Sequence, residues 1–186
     1  MRSTVICSRN RPAGQTQNIS WPRIAVSTTL MLLVAASSGS HAAGSASANL
    51  SVSAAVANNC TISTSPLAFG AYDPVVTNAS SNLDATGTVT VACTKGATAT
   101  IGLGLGSNAS GNTRRMTDGS SNFLTYEVYQ DSSRSAVWGN SGAELLTPSA
   151  APSKSTRDFT VYGRIPSNQD VPAGSYADTV MATVNF

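Results

Sequence analysis

Residues 87–93 read Gly-Thr-Val-Thr-Val-Ala-Cys, and this stretch decides the fold. Every second residue, Val89, Val91 and Cys93, is apolar or a cysteine, and the positions between them hold Thr or Ala. Such period-two alternation, rich in β-branched residues, is typical of a strand with one buried face. The stretch therefore predicts a core strand that ends at a cysteine.

The same alternation recurs on both sides of this strand. Turn-forming residues separate the runs, and no window after residue 42 shows the 3.6-residue period of an amphipathic helix. Seven or eight short strands in about 130 residues predict an all-β fold, an antiparallel β-sandwich. The further runs are residues 50–56, 67–71, 101–106, 123–129, 136–138, 159–164 and 180–186. Gly102, Gly104 and Gly106 alternate within one run with no helix after it, so they do not form a phosphate loop.

Residues 1–42 have the organisation of a secretory signal peptide. Four arginines precede an apolar run at 24–36, and small residues follow it. We predict cleavage after Ala42, with a second option after Ala48. A membrane anchor is the alternative, but a span needs about 20 apolar residues.

Removing the leader changes the composition. The whole chain has 186 residues and a formal charge of +2, but Arg2, Arg9, Arg11 and Arg23 all lie in the leader. Seven basic residues then remain against nine acidic ones, a net charge of −2 on residues 43–186. This balance does not indicate a nucleic-acid partner. The single histidine, His41, also falls in the leader.

Two cysteines, Cys60 and Cys93, remain after the leader. An exported protein meets an oxidising compartment, so we predict that they form a disulfide. The alternative is a metal or catalytic thiol site, which two cysteines without a histidine suit poorly. The disulfide would join the strand led by Cys60 to that of residues 87–93.

Both ends of the predicted domain carry strands with no obvious partner. Near the N-terminus, apolar side chains alternate at Leu50, Val52, Ala54 and Val56. The last strand alternates at Val180, Ala182, Val184 and Phe186 and lacks the charge, proline or bulge that protects an exposed edge. These features suggest that the first strand of one copy adds to the edge of another. The alternative is that residues 50–56 pair within their own domain.

Other polar and aromatic motifs receive structural interpretations. We expect Arg114 and Arg115 to form a solvated turn, Trp138 to be a buried aromatic rather than a ligand platform, and Tyr176 and Asp178 to stabilise a turn and an edge. After the leader there is no histidine base and no free thiol, and the acids are scattered. We therefore predict no catalytic residues, no metal site, no cofactor and no enzyme activity.

The order of several short motifs resembles the spore coat U domain family, which includes subunits of archaic (Csu-type) chaperone–usher pili. The motifs are residues 59–61, 67–74, 87–94, 114–116, 124–129, 137–139, 161–165 and 171–180. The resemblance implies an incomplete immunoglobulin-like sandwich at residues 59–186 and a donor strand within 43–58. It also implies that the family's cysteine pair corresponds to Cys60 and Cys93.

The same resemblance implies the partners and the place of action. These are a periplasmic chaperone, an outer-membrane usher and neighbouring pilin subunits, with secretion through the periplasm to a surface fibre that supports adhesion and biofilm formation. A spore or cell-surface coat protein that builds no fibre is the alternative function. A secreted carbohydrate-binding sandwich is a third, and it requires an exposed aromatic platform.

Overall fold

The computed structural model describes residues 43–186, and the predicted signal peptide lies outside these residues. The chain divides into two units, Met1–Leu50 and Ser51–Phe186, and all the strands of the described part belong to the second. Residues 43–59 form no strand there. Within the described part, no helix has the length and hydropathy needed to cross a bilayer.

Seven strands and one short 3-10 helix, Gly142–Glu144, make up the domain. The strands are β1 (Cys60–Ser65), β2 (Leu83–Cys93), β3 (Thr100–Leu103), β4 (Arg114–Thr117), β5 (Phe123–Tyr129), β6 (Arg157–Ile165) and β7 (Ala182–Asn185). All pair antiparallel, in a five-stranded sheet of order β1-β2-β6-β5-β4 and a two-stranded sheet of β3 and β7. The predicted all-β antiparallel architecture is confirmed.

The core lies between the two sheets. Residues 87–93 form a core strand as predicted, since Val89 and Val91 of β2 are each 1% exposed. Trp138 is fully buried, as predicted, and its indole N–H donates to the carbonyl of Ile101 in β3. The inward side chains of β5 and β6 complete the apolar layer.

The disulfide joins Cys60 to Cys93, which are directly opposed in the β1–β2 pair. It therefore fixes β1, the edge strand, to β2, its single neighbour in the larger sheet.

Five predicted strands are shorter or missing. Residues 50–56 form no strand, the run at 136–138 makes only an isolated bridge between Val137 and Tyr129, and the run at 180–186 is a strand only over Ala182–Asn185. The run at 67–71 is not a strand, because Pro66 has no N–H for a ladder and Gly70 has a positive φ of 79°. The strand expected over 101–106 ends at Leu103, and Gly106 has a φ of 92°. Leu67 and Phe69 nevertheless pack against the core.

The close packing of Leu67 depends on two glycines of the larger sheet. A Cβ at Gly163 in β6 would lie 2.6 Å from a methyl carbon of Leu67 and 2.8 Å from the ring of Phe69. A Cβ at Gly87 in β2 would lie 3.1 Å from that of Leu67. The two glycines thus form a notch that holds Leu67 and Phe69.

The expectation of a solvated turn at Arg114 and Arg115 is wrong. Both belong to β4, and Arg114 is 1% exposed because it opposes the buried Tyr126 and shares its inward face. Arg115 is only half-buried, with its guanidinium 4.0 Å from the centre of the Phe123 ring.

Candidate functional site

An open groove of about 420 Å³ lies between the edges of the two sheets. One wall is the end of β1 and the proline after it, residues 64–66, and the other is the stretch 176–182 that leads into β7. The floor is apolar and is formed by side chains of the core: Val89, Leu103, Val128 and Val161. The groove therefore exposes part of the hydrophobic core.

The C-terminal wall has a free backbone edge. On its paired side, the carbonyls of Thr179 and Met181 accept hydrogen bonds from Ser107 and Gly104, at 3.1 and 2.9 Å. Because backbone groups of successive residues in a strand point to opposite sides, those of Val180 and Ala182 face the groove.

The opposite wall is also an edge. Within residues 43–186, β1 pairs with β2 alone. Thr64 and Ser65, at its end, are exposed. A strand placed in the groove would thus meet a free edge on either side.

The alternating side chains of the last strand face the core as the sequence predicts. Val180, Ala182 and Val184 are half-buried and pack against the core. Phe186 does not follow the pattern, because β7 ends at Asn185 and the Phe186 side chain is 56% exposed.

One position of the groove carries a carboxylate, that of Asp178. Asp178 accepts a hydrogen bond from the hydroxyl of Tyr126 at 2.7 Å and two from Asn108, one from its side-chain amide and one from its backbone N–H. Burial, and then this hydrogen bond to Asp178, raise the pKa of Tyr126, so the phenol stays protonated. Asp178 therefore connects the C-terminal edge to β5 rather than only stabilising an edge. Tyr176 does stabilise a turn, since its hydroxyl donates to the carbonyl of Pro172.

A second cavity, of about 630 Å³, adjoins the groove. The two share Leu67, Phe69, Met116 and Tyr176 among their lining residues. Leu67 and Phe69 thus mark the end of the groove that lies away from the disulfide. The period-two spacing of these two residues was visible in the sequence, but nothing there showed that they leave the sheet.

The proposed donor side chains lie outside the groove in the single chain. Leu50, Val52 and Val56 are 87%, 84% and 86% exposed, and Ala54 is exposed too. Among the described residues, these three are the most exposed of the large apolar side chains.

Thr94 anchors the exit of this segment from the sandwich. Its hydroxyl accepts from the backbone N–H of Asn59 at 3.0 Å and lies 3.3 Å from the carbonyl of Ala57. Its backbone N–H donates to the carbonyl of Asn59 at 2.9 Å, which continues the β1–β2 pairing beyond the disulfide. The segment therefore leaves the domain at the disulfide end of β1.

No cluster of three or more metal-ligating side chains occurs among residues 43–186. The groove holds one carboxylate, that of Asp178, and its hydrogen bonds are all to groups of the fold. The arrangement is suited to receiving an extended apolar chain.

Two packed antiparallel sheets, a disulfide between the first two strands and a groove open along two edges define an all-β sandwich domain with a partly open core. The chain belongs to the Spore Coat Protein U domain family, whose model matches residues 46–183. It is 39% identical over 165 residues to Protein U of Myxococcus xanthus. The match covers 77% of this chain and 87% of Protein U.

A solved structure has a similar fold. It is the crystal structure of the CsuC–CsuE chaperone–tip adhesion subunit pre-assembly complex from the archaic chaperone–usher Csu pili of Acinetobacter baumannii. One chain of it matches with a TM-score of 0.54 and 22% identity. The match covers 70% of the present chain but only 40% of that chain, so it shows a shared fold.

Proposed function

We propose that the protein is a structural subunit of a secreted surface fibre, an archaic chaperone–usher pilus, and that it assembles by donor-strand exchange. One observation carries the proposal. The same chain has a groove with two free strand edges and, elsewhere, an exposed stripe of four apolar side chains at two-residue spacing, namely Leu50, Val52, Ala54 and Val56.

The lengths of the two parts agree. Residues 176–182 of the C-terminal wall and residues 50–56 are both seven residues long and each extend about 23 Å at the rise of a β-strand. The segment 44–57 also contains no charged residue, so its burial requires no desolvation of an ion.

The direction in which the segment leaves the domain favours exchange between copies. Residues 57–59 are held at the disulfide end of β1, whereas the groove is lined by Thr64 and Ser65 at its other end. To enter its own groove, the segment would have to reverse and run back along about 20 Å of β1. The groove of a second copy has no such constraint.

Burial of the apolar stripe supplies a driving force for the contact. Full burial of a Val or Leu side chain is worth about 1.5–3 kcal/mol, and three of the four donor side chains are Val or Leu. New backbone hydrogen bonds along both edges add directional strength. Ordering the segment opposes this gain, because each fixed residue costs about 1–2 kcal/mol of backbone entropy.

The partners follow from the state of the groove before assembly. An open apolar groove would aggregate, so a periplasmic chaperone occupies it first, and an outer-membrane usher then exchanges the chaperone for a neighbouring subunit. The signal-peptide pattern of residues 1–42 supports export, and the similar fold in a chaperone–subunit complex supports the chaperone. Fibres at the cell surface would support adhesion and biofilm formation, and the protein acts as a building block, not an enzyme.

Deletion of residues 44–57 tests the donor role. The deleted chain should still bind its chaperone through the groove but should not donate to a neighbour, so fibres disappear while the chaperone complex persists. Ser53→Asp is the matched control, because Ser53 lies on the alternate face of the segment, and this variant should still polymerise. Unchanged polymerisation of the deleted chain would contradict the proposal.

A coat protein that builds no fibre is the second candidate, and the 39% identity to Protein U favours it. Electron microscopy of cells that express the protein with its partners distinguishes a fibre from an amorphous coat. The carbohydrate-binding alternative loses its aromatic platform, since Trp138, the tryptophan of the described residues, is fully buried.

A further inference from the structure

Asp178, the one carboxylate of the groove, is held in place by its neighbours. The carboxylate of Asp178 is bound by Tyr126 and Asn108, and it rests against Gly106 so closely that a Cβ there would lie 1.9 Å from an Asp178 oxygen. The side chain has no room to turn away from the groove. A strand that enters the groove would meet a carboxylate whose two oxygens already accept hydrogen bonds.

The groove wall offers four positions at two-residue spacing: Tyr176, Asp178, Val180 and Ala182. The donor stripe also has four positions, Leu50, Val52, Ala54 and Val56, and one of these is much smaller than the others. An apolar branched side chain against Asp178 would strip solvent from the carboxylate and crowd the hydroxyl of Tyr126. A methyl group would do so least.

We propose, on the basis of the strand exchange above, that the Asp178–Tyr126 pair sets the register of the incoming strand by accepting only its smallest side chain, Ala54. The donor then runs antiparallel to residues 176–182, with Ala54 opposite Asp178. Leu50, Val52 and Val56 lie opposite Ala182, Val180 and Tyr176.

Other registers place a larger side chain on the pair. Sliding the antiparallel donor by two residues brings Val52 or Val56 opposite Asp178, and a parallel donor that fills the same four positions brings Val52 there. A shift by one residue turns the apolar stripe away from the core. The register with Ala54 opposite Asp178 thus combines full burial of the stripe with an undisturbed hydrogen bond.

The test uses the full chain with single substitutions in the donor segment, where side chains are exposed and the fold is not touched. Polymer yield is followed by size-exclusion chromatography after release from the chaperone. Ala54→Leu should reduce the assembly rate about tenfold to a hundredfold, as for an overpacked core. Ala55→Leu is the matched control, because Ala55 lies on the alternate, exposed face of the segment, and its assembly rate should stay within about threefold of the parent.

A second substitution in the groove checks that Asp178 is the cause. In the Ala54→Leu chain, Asp178→Ala should restore part of the lost rate, and Tyr126→Phe, which removes only the hydroxyl, provides the same readout if Asp178→Ala does not fold. Normal assembly of Ala54→Leu, an equal loss for Ala55→Leu, or no recovery with either groove variant would overturn the register. If the parent chain itself never assembles, the proposed strand exchange fails and the register with it.

Discussion

Arg114, in β4 of the larger sheet, is hydrogen-bonded to the end of β3 in the smaller sheet. Its guanidinium donates to the carbonyls of Leu103 and Gly104, at the end of β3, and to that of Trp138, and it pairs with Glu127 of β5. The buried charge is therefore satisfied on every side, and the carbonyls after β3 obtain donors that no strand supplies.

Replacement of Arg114 by Met should be strongly destabilising. The substitution removes the ionic partner of Glu127, which keeps only the backbone N–H of Val128, and it removes the side-chain donor of three carbonyls. The expected loss is about 3–5 kcal/mol of unfolding free energy. Urea unfolding measures it. Arg115→Met is the control and should cost about 1 kcal/mol or less, because Arg115 keeps contact with solvent. Similar losses in both variants would contradict this role.

Asp84 should make the unfolding free energy of the domain depend on pH in the acidic range. A bidentate hydrogen bond from Arg164, first, and the nearby charge of Arg134 hold the pKa of Asp84 below its usual value in the folded protein. The contribution of the Asp84 carboxylate to the unfolding free energy is therefore complete above the pKa of the unfolded chain, about pH 4. It is lost as the pH falls through the lower pKa of the folded protein.

The size of this effect should be modest because the pair is partly exposed, about 0–1 kcal/mol. Comparing urea midpoints of the parent and Asp84→Asn at pH 7 and at pH 2–3 measures it. The difference between the two proteins should shrink at low pH. A difference that is equal at both pH values would assign the effect to packing and not to charge.

Sequence reasoning could not place Arg114 or Asp178 correctly. Two adjacent arginines look solvent-exposed in any analysis of the local sequence. The burial of Arg114 follows from the register of β4 against β5, which places Arg114 opposite Tyr126. Asp178 meets Tyr126 across 52 residues of sequence. By contrast, Trp138 and the Cys60–Cys93 pair were predictable, because size, hydropathy and redox compartment determine their environment largely without knowledge of topology.

At the scale of elements, β1 is held by its disulfide and by a single neighbour. It lies at the edge of the larger sheet and forms one wall of the groove. Any loosening of β1 would change the groove as well as the fold. In the proposed strand exchange, the wall that receives the donor is thus a strand held by one neighbour.

Removal of the disulfide tests that dependence. The Cys60→Ser, Cys93→Ser double variant should lose about 3–4 kcal/mol, since the bond closes a loop of moderate length. Urea unfolding gives the value, and Ser63→Ala in the same strand is the control. A loss as small as that of the control would show that β1 is held by its hydrogen bonds alone.

The notch at the end of the groove gives a second test. Gly163→Ala would force Leu67 and Phe69 from their position and should cost about 1–3 kcal/mol through overpacking. Gly104→Ala is the control, because the nearest atom to a Cβ there is an uncrowded 3.6 Å away. Thermal unfolding compares the two, and an equally stable Gly163→Ala protein would contradict the notch.

The period-two alternation of apolar residues correctly predicted the strands that pair regularly with a neighbouring strand. It identified β2, β5, β6 and the inward face of β7, where apolar and polar residues alternate over a buried layer. It was wrong over residues 67–71, where the side chains still alternate but Pro66 and Gly70 divert the backbone. Alternation reports which side chains face the core, and pairing depends also on backbone hydrogen bonds.

At the scale of the whole molecule, the low charge has a role. Charged residues make up 11% of the full chain, and residues 44–57 and 179–186 contain none. Most proteins protect an exposed edge with charge or proline. Here the donor segment and the C-terminal edge are both free of these features, as pairing between copies requires.

The central claim, that the donor segment of one copy fills the groove of another, is tested most directly by mixing two incompetent chains. One lacks residues 44–57 and can only accept, and the other carries Val180→Arg in its groove and can only donate. Thr183→Arg, on the exposed face of β7, is the control and should assemble normally. We expect each incompetent chain alone to form no polymer and an equimolar mixture to give a heterodimer of one accepting and one donating chain by size-exclusion chromatography with light scattering. Polymer from either chain alone, or no heterodimer in the mixture, would contradict the account.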